Sequence, residues 1–477
     1  MGRAPHRSPL LAGCPGLRLD RFGQPQAGPE LRASRSAGSR GTVGRHGRRS
    51  GPVTVGWRVI LAGGGTGGHL QPGVAVAEAL VGMAPEVRVC FVGTGTPLER
   101  QILLAAGYRC HTVPARPLPR GIRQWPAFLR DTLAGYRRAR LLLSQQRPAA
   151  VVGLGGYASV PVAWMAARRG VPVVLLEQNA VPGRATRWLS RSAAALCSAW
   201  DTDGWQPPGR VWHQVTGNPV QAAFFARGRP VDGQTDGPRQ LLVLGGSQGA
   251  RALNQTVPRL LARLRPLLAN WRIVHQSGWA DWQATRTLYA RLGLEATVVP
   301  FVADMPALLT RSALAVSRAG GTTLAELAAT AVPAVLVPYP FASDDHQRIN
   351  ARRLVSSGAA VTVDQDERYG PFAQRLQQAV ERLLGDSGRL ARMRLAMGRL
   401  ARPEAAMDVA RVVLHLADRS GRTGQQGLRP HPPRSGARCQ RPAGKETNRA
   451  HVEMARASNG QPSPAVTAAG CGSRRPH

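Results

Sequence analysis

A single histidine closes the most glycine-rich stretch of the chain, Gly63-Gly64-Gly65-Thr66-Gly67-Gly68-His69. An apolar run, Trp57 to Ala62, precedes it, and a helix-like stretch, Pro72 to Leu80, follows. A strand, a turn nearly free of side chains and a helix N-terminus together present backbone N–H groups and the positive end of a helix dipole to an anion. No Gly-Lys-Ser/Thr follows, so the turn lacks a Walker lysine. His69 instead offers an imidazole that titrates near neutral pH, beside bound phosphate. Gly63, Gly65 and Gly68 alone satisfy G-x-G-x-x-G, which a chain with 54 glycines meets readily. Taken by itself the turn leaves both phosphate binding and a plain βα turn open.

Further along lie more polar groups at suggestive spacing. Gly245-Gly246-Ser247-Gln248-Gly249-Ala250 is a second glycine turn after a strand, and Gly153-Leu-Gly155-Gly156-Tyr157 a third. Ser317-Arg-Ala-Gly-Gly-Thr-Thr-Leu-Ala-Glu326 opens a helix. Backbone N–H groups at Gly321, Thr322 and Thr323 at this helix start suit an anion, and the Glu326 carboxylate, in the first helical turns, can accept bonds from ligand hydroxyls. Gln347 and Asn350, three apart, can show both amides on one helical face; capping and loop hydrogen bonds are the alternative. Asp201-Thr-Asp203 and Asp364-Gln-Asp366 match the D-x-D of metal-dependent transferases, but neither follows a glycine turn, so no metal site is expected. A dehydrogenase needs an acidic residue ending the second strand to hold ribose, and Val87 to Val92 runs into Gly93-Thr94-Gly95 instead.

The elements that must position these residues alternate. Strands are expected at 57–62, 87–92, 149–153 and 171–176, with helices at 72–82, 97–106, 124–146 and 161–169. Ala199 to Pro238 breaks the rhythm. A second series follows, with strands at 240–244, 271–275, 296–301, 313–316 and 332–338, and helices at 249–264, 281–291, 321–330 and 345–356. A last amphipathic helix starts near Pro403 and uses Met407, Ala410, Val413 and Leu416. This predicts an α/β chain of two Rossmann-like domains whose strand ends face a shared cleft.

The net charge is +36, of which residues 1–56 hold +8 and residues 419–477 hold +9. Both ends are rich in Gly, Pro, Ser and Arg and are expected to be disordered. They read either as polyanion- or membrane-binding tails or as compositional bias, since Lys445 is the only lysine. The six cysteines form no C-x-x-C pair, and no secretory signal is visible, so a reduced cytoplasmic chain is expected.

The glycine turns, together with Leu176-Glu-Gln-Asn-Ala-Val-Pro-Gly183 and Pro338-Tyr-Pro-Phe-Ala-Ser-Asp-Asp-His-Gln-Arg-Ile-Asn350, closely resemble the peptidoglycan N-acetylglucosaminyltransferases of the lipid II pathway. The resemblance covers roughly residues 57–417 and implies a GT-B fold. Its expected layout is a basic extension over 1–56, an acceptor domain over 57–217 and a UDP-GlcNAc domain over 218–398. A helix over 399–417 returns to the first domain, and a basic tail fills 418–477. The implied reaction is inverting transfer of GlcNAc from UDP-GlcNAc to the MurNAc 4-hydroxyl of undecaprenyl-pyrophosphoryl-MurNAc-pentapeptide (lipid I), without metal or other cofactor. A GT-B transferase using another glycolipid or small-molecule acceptor is the alternative.

By the same resemblance the donor sites are Thr66, Gly67, Gly68, Asn179, Gln221, Ser247, Val302, Gly321, Thr322, Thr323, Leu324, Ala325, Glu326, Gln347 and Asn350. The acceptor sites are Gly65, His69, Gly155, Gly156 and Tyr157. His69 is the expected base, with Glu177 orienting or assisting it. Two positions depart from the pattern: Leu176 stands where the family usually has histidine, and Gln221 where it commonly has arginine. Arg251 or Arg318 is a candidate to compensate for the latter.

A polyprenyl acceptor requires a membrane-facing surface. Ile122, Trp125, Phe128, Leu129, Thr132, Leu133 and Tyr136 fall at helical spacing, rimmed by Arg120, Arg123, Arg130, Arg137, Arg138 and Arg140. Such a stripe suits the anionic lipids of an inner leaflet, with an ordinary core-facing helix as the alternative. The expected partners are UDP-GlcNAc, lipid I and those lipids, with no nucleic acid, at the cytoplasmic face of the inner membrane.

Overall fold

The computed structural model describes residues 57–423, save Thr66, Arg120, Asp203, residues 227–236, Ser247, Gln248 and Gly370. The arginine-rich ends and the Thr66 and Ser247 positions therefore lie outside the described residues.

Apolar runs become buried parallel strands wherever both faces are covered by helices. In the first half these are β1 (Arg58–Ala62), β2 (Arg88–Gly93), β3 (Cys110–Thr112), β4 (Ala150–Gly153), β5 (Val173–Glu177), β6 (Ala195–Ser198) and β7 (Trp212–Val215). They form one sheet in the order β3-β2-β1-β4-β5-β6-β7, with every pair parallel. Between them run α1 (Gly67–Met83), α2 (Pro97–Ala105), α3 (Trp125–Gln146), α4 (Val160–Arg168) and α5 (Arg184–Leu189). After α6 (Ala223–Ala226) a second parallel sheet is built from β8 (Arg239–Leu244), β9 (Trp271–Gln276), β10 (Ala296–Val299), β11 (Ser312–Ser317), β12 (Ala334–Leu336) and β13 (Ala360–Thr362). Its order is β10-β9-β8-β11-β12-β13. The helices α7 (Arg251–Arg263), α8 (Trp282–Arg291), α9 (Met305–Thr310), α10 (Gly321–Thr330), α11 (His346–Ser356), α12 (Phe372–Leu384) and α13 (Ser387–Arg399) flank it, and α14 (Ala405–Thr423) ends the described chain. In both sheets the strand order reverses beside the first strand, where open α/β sheets bind ligands at the carboxyl ends.

Several expectations need correcting. The region read as irregular between 199 and 238 holds β7, a half-exposed edge strand with too few apolar residues to announce itself. Likewise β3 and β13 are three-residue edge strands, and the buried interior strand β6 over Ala195–Ser198 was not expected either. Val220 and Phe224 already pack in the core of the second half, because they lie under its sheet. The C-terminal helix runs to Thr423, past the 417 boundary, and buries Val409, Ala410, Val412, Val413 and Ala417 among first-half residues such as Leu70 and Val74. Tyr136, placed on the outer stripe of α3, turns inward and meets Trp164 of α4 at 4.8 Å between ring centroids.

Helix α1 starts five residues earlier than its periodicity suggests, at Gly67, so His69 lies in its first turn. Pro72 sits inside this helix and has no N–H to give the Gly68 carbonyl one turn back. That carbonyl instead accepts the Thr322 hydroxyl at 2.5 Å from the other half. A local defect in one helix thus becomes a bond across the cleft.

Candidate active site

The glycines of the site mostly make room for protein groups. A Cβ on Gly155 or Gly156, both at positive φ, would stand 3.1–3.3 Å from the His69 ring. On Gly64 it would lie 2.2 Å from a Glu99 carboxylate oxygen, and on Gly321 2.2 Å from the Gln178 carbonyl. The glycine-rich sequence therefore lets two turns and two helix starts crowd around one imidazole. Tyr157 stands against Gly65, its hydroxyl 3.4 Å from the Cβ position there. The five acceptor candidates Gly65, His69, Gly155, Gly156 and Tyr157 are in this way gathered at one place.

The His69 ring is oriented by a residue that sequence reasoning passed over. Gln178 Nε2 donates to the Leu154 carbonyl at 2.8 Å, which turns its Oε1 toward His69 Nδ1 at 3.2 Å. An amide oxygen can only accept, so Nδ1 carries the hydrogen and Nε2 keeps its lone pair. Burial holds the imidazole below its ordinary pKa, opposed mainly by the charge of Glu177. The hydrogen-bonding role expected of Glu177 thus belongs to Gln178. The Glu177 oxygens are taken by the Asn179 and Gly183 N–H groups, the Asn179 amide and the Thr186 hydroxyl, which fold the 177–186 loop. Leu176 is 2 % exposed and packs in the first-half core.

Across the cleft, α10 begins at Gly321 with no side-chain cap. Its first N–H groups have no intrahelical partner and are available to an anion. A cavity of about 300 Å³ lies beside it, bounded by Gly67 and Gly68 of α1, Gln221, Val302, Thr322 and Thr323, with Glu326 facing it. Burial pushes the Glu326 carboxyl up to about 8. Sequence reasoning also missed Gln276, which lines the same cavity and whose buried Oε1 has no partner among the described residues. A smaller cavity of about 150 Å³ adjoins, lined by His69, Asn179, Gly320, Thr323 and His346. Leu324 and Ala325 lie on α10 but are absent from both linings: Leu324 is packed in the second-half core.

The two amides expected to face the donor sugar separate. Gln347 Oε1 accepts from the Ala319 and Tyr339 N–H groups, leaving its NH2 without a partner among the described residues. Asn350 is fully buried and saturated: its Oδ1 accepts from Ala180 N–H, and its Nδ2 donates to Asn179 Oδ1 and the Ala319 carbonyl. It ties the halves together, a correction to the expected sugar contact, because α11 turns that position toward the 177–183 loop. Gln221 donates to Glu78 of α1 at 2.9 Å. Arg318 is committed to the carbonyls of Val337 and Pro338 and to Gln365, and does not stand in for the missing arginine. Asp364 and Asp366 are engaged with Arg348 and Arg368, and among the described residues no group of three or more His, Cys, Asp or Glu gathers as metal ligands.

Two parallel α/β sheets facing a cleft, with an uncapped helix start and a buried carboxylate at a nucleotide-sized cavity, define a GT-B sugar-nucleotide transferase architecture. Residues 59–198 match the glycosyltransferase family 28 N-terminal domain and residues 240–409 its C-terminal domain. The UDP-N-acetylglucosamine–N-acetylmuramyl-(pentapeptide) pyrophosphoryl-undecaprenol N-acetylglucosamine transferase of Alkalilimnicola ehrlichii is 41% identical over 365 residues, 75% of this chain and 99% of that protein. The enzyme of the same name from Anaeromyxobacter sp. is 38% identical over 363 residues, 76% of this chain and 94% of that protein. The crystal structure of Acinetobacter baumannii MurG superposes with a TM-score of 0.57 at 31% identity, over 75% of this chain and 99% of that one. The chain belongs to this family of UDP-N-acetylglucosamine–N-acetylmuramyl-(pentapeptide) pyrophosphoryl-undecaprenol N-acetylglucosamine transferases.

Proposed function

We propose that this protein transfers GlcNAc from UDP-GlcNAc, with inversion, to the 4-hydroxyl of MurNAc in undecaprenyl-pyrophosphoryl-MurNAc-pentapeptide, forming lipid II. The observation that carries the mechanism is the fixed tautomer of His69, whose Nε2 is left basic by the Gln178 contact. The acceptor pyrophosphate meets the turn from Gly63 to Gly68 and the Tyr157 turn, and the donor nucleotide occupies the cavity at α10. Val302 backbone takes the uracil edge, Glu326 the ribose hydroxyls and the Gln347 NH2 the sugar. The His69 Nε2 removes the 4-hydroxyl proton as that oxygen bonds to the anomeric carbon, and the bond from that carbon to the phosphate oxygen breaks with its electron pair leaving on UDP. The charge of Glu177, held nearby by its own loop, stabilises the imidazolium that results. Departing UDP is met by the unpaired N–H groups of α10 and its dipole, and the reading assigns no metal cofactor.

The lipid-linked acceptor places the reaction at the cytoplasmic face of the membrane, with the protein peripheral. Ile122, Trp125, Leu129 and Leu133 of the α3 region are 82 %, 42 %, 58 % and 52 % exposed, which supports an apolar stripe resting on anionic inner-leaflet lipids. Phe128 packs edge-on against Trp125 within it. No helix among the described residues is long and apolar enough to cross a membrane. No nucleic acid takes part in this reading. Assay with UDP-GlcNAc and a panel of acceptors tests it: turnover is expected with lipid I, and turnover only with acceptors lacking MurNAc-pyrophosphate overturns it.

A further inference from the structure

We propose that Glu99 is the positioning residue of the acceptor turn, fixing through a sealed carboxylate where α1 begins and therefore where His69 stands. This rests on the reading of the turn from Gly63 to His69 given above. Glu99 is 0 % exposed, and its carboxylate touches no cation among the described residues. Its Oε1 accepts the Gly65 N–H at 2.6 Å and the Thr94 hydroxyl at 2.7 Å. Its Oε2 accepts the Gly95 N–H at 2.6 Å and the Thr96 N–H at 3.2 Å. The Gly65 bond joins α2 to the turn after β1, four residues before His69, and the others join it to the turn after β2.

Two glycines exist in relation to this group. A Cβ on Gly64 would lie 2.2 Å from Oε1, and one on Gly93 2.7 Å from Oε2. Electrostatics alone argues against such an arrangement, since a buried negative charge behind an anion-binding turn repels the ligand. A merely structural need is also met without the Gly65 bond, because the capping box with Thr96 already holds the start of α2. What the carboxylate adds is register: one oxygen fixes the strand-to-helix turn that carries the imidazole.

The two oxygens differ in a way that permits a selective test. In Glu99→Gln the amide oxygen keeps the Oε2 place, where both donors are backbone N–H groups that cannot reverse. The amide NH2 then takes the Oε1 place, where the Thr94 hydroxyl can reverse and accept, but the Gly65 N–H is repelled. The variant therefore frees the turn while keeping the helix cap. The control Thr94→Val removes the other Oε1 bond and leaves the Gly65 bond in place.

Steady-state kinetics with lipid I and UDP-GlcNAc, UDP binding by calorimetry and thermal melting are measured for Glu99→Gln, Thr94→Val and His69→Ala. The expected result for Glu99→Gln is a fall in kcat of about tenfold to a hundredfold, with the Kd for UDP within about twofold of the parent. Thr94→Val is expected to keep kcat within about threefold at a similar melting temperature. Parent-like kcat in Glu99→Gln beside a crippled His69→Ala overturns the role of Glu99 alone. Equal loss in Glu99→Gln and Thr94→Val, tracking their melting temperatures, overturns it as well by showing a structural effect. A parent-like His69→Ala removes the reading of the turn, and the inference with it.

Discussion

The two side chains to which the proposed mechanism gives a proton or a ribose, His69 and Glu326, have opposite electrostatic settings. His69→Ala is expected to lower kcat by about a hundredfold or more while leaving the KM for UDP-GlcNAc nearly unchanged, in steady-state assays. Because burial lowers the His69 pKa, the base stays neutral down to below its ordinary value of 6.5. The acidic limb of a kcat/KM–pH profile, which reports the free enzyme, should therefore fall below that pH, and an acidic limb centred above 6.5 would count against the assignment. Glu326 behaves in the opposite sense. With its carboxyl raised to about 8, it is protonated in the free protein near pH 7. Ribose hydroxyls donating to it favour the ionised form and lower its pKa, so nucleotide binding at that pH should release a proton. Calorimetry in buffers of different ionisation enthalpy reads that release directly, and it should vanish in Glu326→Gln.

At the scale of elements, two helix starts do most of the positioning. The α1 start is shaped by its neighbours: Pro72 frees the Gly68 carbonyl, which the Thr322 hydroxyl takes from α10. The α3 surface acts outward. Replacing Ile122 and Leu129 by Glu should weaken binding to vesicles containing anionic lipid by about tenfold or more, read by co-sedimentation, while turnover of a short-chain soluble acceptor stays close to the parent. The cross-cleft contacts are unequal. Arg187 and Asp344 pair at 3.1 Å, but both side chains are 38 % exposed, so the pair contributes about 0–1 kcal/mol. Asn350 is fully buried, and truncating it strands the Ala180 N–H and the Ala319 carbonyl at about 1–3 kcal/mol each. The buried amide, not the visible ion pair, is the stronger tie.

For the molecule as a whole, α14 is the element that crosses between halves. It inserts Val409, Ala410, Val413 and Ala417 into the first-half core, so removing residues 405–423 should give a chain that melts far lower or fails to stay soluble. Removing residues 1–56 and 424–477 is expected to leave lipid II formation within about twofold of the parent, because every group assigned to the site lies between Gly63 and Asn350. A large loss of turnover on a soluble acceptor would place a function in those ends.

Much of this was legible in the chain itself, for physical reasons. Apolar runs that end in glycine turns and alternate with helical stretches read as strands buried on both faces, so β1, β2, β4, β5 and most of the second sheet were legible from pattern. The edge strands β3, β7 and β13 were not, because a short half-exposed strand is held by its neighbour's hydrogen bonds more than by its own side chains, and neither was the buried four-residue β6, too short to stand out beside the polar residues around it. Residue types also sufficed to single out His69, Glu326 and the glycine turns. What only the tertiary structure decided is what those residues touch. Asn350 is spent on the first half, Gln178 and not Glu177 turns the imidazole, and Glu99 sits where two glycines leave space. Each of these depends on a partner more than thirty residues away in sequence, and a local pattern carries no record of such partners. His69 was thus visible as a histidine after a phosphate-type turn, but its basic nitrogen was fixed by packing.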